Sequence, residues 1–140
     1  MLSNCDSNTQ NNQRKTPETR GEQLFQEFQE AHNVQGIEGV LTRSRAYNNL
    51  GAYYAEQEKY EDAINCYKQS MRIGGETAEA YLGLANIQYL QEDYTRAVHL
   101  TKKSLAINPE YEPAKECLKK AEDKKKKMIR TPKNSSSTSQ

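Results

Sequence analysis

Between residues 44 and 111 the apolar positions recur at intervals of three and four, the spacing that gathers side chains on one face of a helix. Tyr47, Leu50, Gly51 and Tyr54 trace such a face over 45–57. Tyr81, Leu84, Ala85 and Gln88 trace another, with Gln88 its weak member. Each is followed by a second stripe: Tyr60, Ala63, Ile64, Tyr67 and Met71 predict a helix over 60–73, and Tyr94, Ala97, Val98, Thr101 and Leu105 predict one over 94–107. Only Glu58-Lys59 and Glu92-Asp93 separate the members of each pair. A connection that brief forces antiparallel neighbours.

The two pairs are copies. Sliding 44–77 onto 78–111 gives 11 identities in 34 positions, among them Ala46/Ala80, Tyr47/Tyr81, Leu50/Leu84, Tyr60/Tyr94, Ala63/Ala97 and Ser70/Ser104. Chance would give about two, and a period of this length is that of helix-turn-helix repeats. The order aromatic, Leu, Gly, Tyr, then aromatic, Ala, aromatic, Ala and Pro resembles the tetratricopeptide repeat family. Gly51, Ala85, Ala63 and Ala97 put small residues where paired helices would cross closest, and Pro109 disfavours helix at Asn108. Gly74-Gly75 in place of Pro, Gln88 in place of an aromatic, and Ser70 and Ser104 in place of Ala depart from the family pattern.

Two repeats leave apolar faces open at both ends, and the flanks supply covers. Ala114, Cys117, Leu118 and Ala121 predict a capping helix over 112–128 with one wet face. Upstream, Thr16-Pro17-Glu18 signals a helix start ahead of Leu24, Phe25, Phe28 and Ala31, giving a flanking segment over 18–32, while Gly36 and Gly39 are expected to break its connection to the repeats. The polar stretches 1–17 and 129–140 are expected to be disordered. The expected architecture is all-α: a short right-handed α-solenoid of repeats 44–77 and 78–111, flanked and capped.

Composition agrees with a thin, elongated core, since hydrophobic residues make up 34% and the mean hydropathy is -1.06. The net charge of +1 hides an asymmetry: residues 112–140 carry nine basic and four acidic side chains, whereas the remainder is acidic. Cys5, Cys66 and Cys117 are widely spaced, so neither a disulfide framework nor a zinc site is indicated. No run reaches the roughly 20 apolar residues of a membrane span, and no signal peptide opens the chain, which reads as cytoplasmic. The alternative is a lipid tether, because Leu2-Ser3-Asn4-Cys5 before a polar stretch resembles a bacterial lipobox whose upstream segment has been removed.

Catalysis finds little material. His32 and His99 sit on different predicted helices, and no phosphate loop, metal motif or cofactor motif occurs, so the chain is expected to bind rather than react. The first helices should line an inner groove for a protein or peptide partner, formed by Asn48, Asn49, Ala52 and Glu56 on one repeat, Leu82, Asn86, Tyr89 and Leu90 on the next, and Lys120 on the cap. Arg45, Glu79, Glu116 and Lys124 border this set. Family members that clamp chaperone tails hold a carboxylate with cations and asparagines. Position by position, Asn48, Ala52, Gly83, Pro113 and Cys117 match none of the clamp's residues, and no cation stands among them, which argues against that partner. The run Lys124-Lys125-Lys126-Lys127 with Arg130 and Lys133 could draw nucleic acid, an acidic protein or an anionic membrane, or signal nuclear import. With no aromatic interleaved for base stacking, its expected role is to solvate the end of the cap. Stacking of open repeat ends into a homo-oligomer is the second functional reading.

Overall fold

In the repeat region each stripe folds as its own helix, and the helices pair as antiparallel hairpins. The computed structural model describes residues 20–130; Cys5, the Thr16-Pro17-Glu18 signal, Lys133 and the tail beyond 130 lie outside them. Among the described residues there are six helices and no strand: α1 (Arg20–Ala31), α2 (Gly36–Glu56), α3 (Tyr60–Gly74), α4 (Ala78–Leu90), α5 (Tyr94–Ile107) and α6 (Glu112–Arg130). Hairpins α2/α3 and α4/α5 are the two repeats, α6 lies against α4 and α5, and α1 packs on α2 within the same chain.

Both hairpin turns are built alike. Glu58 and Glu92, one period apart, adopt left-handed φ angles of 60° and 63°. Lys59 N donates to Tyr54 O at 2.9 Å and Asp93 N to Gln88 O at 2.9 Å, closing the Schellman pattern that satisfies the last carbonyls of α2 and α4. Asp93 then caps α5, its Oδ1 accepting from Arg96 N at 3.2 Å.

The serines that replace the family's alanine are hydrogen-bonded across each hairpin. Ser104 Oγ donates to Ala78 O at 2.8 Å, and Ser70 Oγ donates to Ser44 O at 2.8 Å while Ser44 Oγ donates to Ser70 O at 3.0 Å. All three serines are buried, so each hydroxyl satisfies a group that water cannot reach.

The break expected at Gly36 and Gly39 falls just ahead of them, between Ala31 and Gly36, and α2 then begins at Gly36 and runs through Gly39. Gly36 makes the corner with a φ of 77°, and the absent side chain of Gly39 admits the carbonyl of Val34, which a Cβ would strike. Arg43 Nη1 donates to that same carbonyl at 3.0 Å. The short loop His32–Gln35 therefore folds α1 back on α2, where Phe28 meets Tyr47 edge to face at 4.6 Å between centroids.

The core follows the stripes. Ala63, Tyr67, Ala80, Tyr81, Leu84 and Ile87 form one buried cluster between the hairpins. Leu82, Ala85, Ala114 and Cys117 form a second, and Ala97, Val98 and Ala121 a third, both beneath α6. The cap extends two residues past the expected 128, to Arg130; its opposite face is exposed at Lys119 and Asp123, and Lys120, Lys124 and Lys126 are exposed along its length.

Candidate binding cleft

The small residues that let the helices approach also leave depth along the inner face of α2, α4 and α6. Gly51 on α2 and Gly83 on α4 lie on either side of Tyr67, which rises from α3; a Cβ on Gly51 would come to 3.0 Å from the ring, and one on Gly83 would strike it. Tyr67 is thus buried yet reaches a cleft of about 520 Å³ between the first helices. Burial pushes its phenol up to about 12, and pushes the neighbouring Cys66 thiol up to about 11. Cys66 is a packing residue with no thiolate character at neutral pH.

Seven of the nine expected groove residues line this cleft: Ala52, Glu56, Leu82, Asn86, Tyr89, Leu90 and Lys120. They differ in what they contribute. Leu82 is 8% exposed and belongs to the core beneath α6, and Tyr89 is half-buried with its ring 5.3 Å from that of Tyr94. Leu90 is 56% exposed, an apolar side chain facing water at the cleft margin. Asn86 accepts from the Cys117 thiol at 3.5 Å and keeps its amide donors for another partner.

Asn49 and Asn48 lie elsewhere. Asn49 lines a separate cleft of about 330 Å³ between α1 and α2, together with Arg20, Gln23, Leu24, Glu27 and Ala52. Ala52 is common to both clefts, so the two adjoin. Asn48 lines neither; it is half-buried, and its Oδ1 is enclosed without a hydrogen-bond partner among the described residues.

The cleft also includes Ala55, Tyr67, Gly83, Pro113, Glu116 and Cys117. Ala52, Gly83, Pro113 and Cys117 are four of the five places where related clamps hold a carboxylate, so the family positions, stripped of their usual residues, pointed to the cleft lining. Its charged side chains are Glu56, Glu116 and Lys120. His32 does not enter it: its Nδ1 donates to Phe28 O at 2.8 Å at the end of α1. Among the described residues no group of three or more His, Cys, Asp or Glu side chains could hold a metal, and no helix is long and apolar enough to cross a membrane.

Comparison with known proteins agrees with this geometry. The tetratricopeptide repeat family profile matches residues 42–110. A subunit of the formate-dependent nitrite reductase complex, NrfG of Escherichia coli O157:H7, is 34% identical over 58 residues, which are 41% of this chain and 27% of the relative. The match thus spans about a quarter of that relative's length. With the repeat register, the hairpin pairing and the family profile coinciding, the chain belongs to the tetratricopeptide repeat family through residues 42–110.

Proposed function

We propose that this protein is an interaction adaptor that holds a segment of a partner protein, as an extended peptide or a helix, in the cleft formed by α2, α4 and α6. The reading is supported chiefly by Leu90, exposed beside the buried Leu82 and half-buried Tyr89, with Asn86 within the same cleft. An apolar side chain of the partner would cover Leu90, and Asn86 and Lys120 would serve its polar groups. The family match supports a protein partner, and the Escherichia coli relative is itself named as the subunit of a complex. End-to-end stacking of copies has less support, since α1 covers α2 and the outer face of α6 is charged.

A peptide array probed with the wild type and with Leu90→Asp and Lys120→Glu tests the cleft. Both side chains are exposed, so neither change should disturb the core. Loss of binding by Leu90→Asp of about ten-fold or more is expected, as for an apolar anchor. Peptides retained equally by both variants would reject the cleft as the binding surface.

A further inference from the structure

The cleft makes no use of the far end of α6. Past Ala121, the helix continues as Glu122-Asp123-Lys124-Lys125-Lys126-Lys127-Met128-Ile129-Arg130. Four cations and one further arginine stand within the last seven residues, and no acidic residue does. Met128 and Ile129 prolong the stripe of Cys117, Leu118 and Ala121 at helical spacing, yet they are 55% and 69% exposed. They are core-type side chains carried beyond the core.

Beside them lies a cleft of about 270 Å³ between α5 and α6, lined by Val98, Ile129, Lys102, Lys125, Lys126 and Glu122. Three ammonium groups therefore meet two aliphatic side chains, with a single carboxylate among them. It shares no residue with the binding cleft, so both surfaces can be occupied at once.

We propose that this end of α6, together with Lys102 of α5, docks on an anionic lipid surface. Lys102, Lys125 and Lys126 meet phosphate headgroups, and Met128 and Ile129 enter the boundary between headgroups and acyl chains. Lysine suits that boundary because its long aliphatic stem lies along apolar surface while the ammonium stays with the headgroups. A soluble polyanion would account for the cations alone. It leaves the exposed aliphatic pair without a role, and no aromatic residue is present from 119 to 130 to stack on a base.

Flotation of the full chain with phosphatidylcholine vesicles, with and without roughly three parts in ten of phosphatidylglycerol, tests the proposal. Binding is expected only with phosphatidylglycerol and should fall with added salt. The double variant Met128→Ser/Ile129→Ser should lower the partition about ten-fold or more. Lys102→Gln and Lys126→Gln should each lower it about five-fold. All four side chains are exposed, and unchanged melting temperatures would show that the variants remain folded. Equal binding to pure phosphatidylcholine, or no binding to either vesicle, would overturn the proposal. So would release by the lysine variants with the Met128/Ile129 variant unaffected, which would assign the surface to a soluble polyanion.

Discussion

Where the first hairpin meets the second, the Tyr67 ring of α3 lies between Gly51 and Gly83; one period on, the same three places hold Thr101, Ala85 and Cys117. The large residue has become small and the two glycines have gained side chains. In the second seam Thr101 Oγ1 donates to Ala97 O at 2.6 Å and lies 3.5 Å from Cys117 Sγ, so a polar contact stands where an aromatic ring stood. What the repeat keeps at this point is the filled volume, not the residue. The exchange also shapes the cleft, since an aromatic ring reaches it in the first seam and a thiol in the second.

Removing the ring tests this most severely. Tyr67→Ala should cost about 3–5 kcal/mol in chemical denaturation, whereas Thr101→Ala should cost nearer 1 kcal/mol, the scale of one hydrogen bond and a methyl group. Similar losses at the two sites would mean that the seams are not alternative fillings of one volume. Next in size, Gly83→Ala should destabilise by about 1–3 kcal/mol, because the added methyl meets the ring and helix propensity recovers only part of the loss. In a Tyr67→Thr background, which copies the second seam, that penalty should vanish; additive losses in the double-mutant cycle would refute the exchange.

The serine bonds separate the hairpins by a smaller margin. Ser70→Ala should cost about 1–3 kcal/mol, since it strips both hydroxyl contacts that Ser70 makes with Ser44, while Ser104→Ala should cost about 1 kcal/mol for its single bond to Ala78 O. Equal losses would show that the reciprocal pair adds nothing. An alkaline titration distinguishes the hairpins again. Folded Tyr67 and Cys66 hold their protons to about 12 and 11, above their ordinary values of 10.0 and 9.0, so the folded state binds more protons than the unfolded chain over pH 9–12. Stability should be unaffected by these groups below pH 9 and should fall as pH rises through that window. Tyr67→Phe should flatten the fall above pH 10, and an unchanged slope would contradict burial of the phenol.

The smallest effect is one in which the hairpins should agree. Glu58→Gly and Glu92→Gly each relieve a left-handed backbone and should stabilise by about 0.5–1 kcal/mol apiece. A gain at only one turn would show that the paired turns are not equivalent.

These contrasts also show what the chain discloses when read as letters. The hairpins were legible because Ala63, Ala97, Leu50 and Leu84 have one job each, burial at a fixed spacing, and a period repeats it. The start of α2 was not, because Gly36 and Gly39 punctuate a chain equally well as a linker or as a tight corner; only the approach of the Val34 carbonyl decides. Asn48 carries a related ambiguity. Its one-dimensional position places it beside Asn49 on an inner face, but packing encloses its carbonyl oxygen. Tyr67 was assigned to the core and does lie there. Its second role in the cleft depends on two glycines in other helices, 16 residues before it and 16 after it, a relation that no single stripe contains.

The charged outer face of α6 decides how this molecule could be lengthened. A further copy of the 34-residue unit placed ahead of that helix would find apolar ground on both sides and extend the inner channel by one step. Placed behind it, the same copy would have to seat its leucines and tyrosines on lysines. The helix α6 therefore acts as a stop to growth, and any engineered array built from these hairpins must keep it outermost.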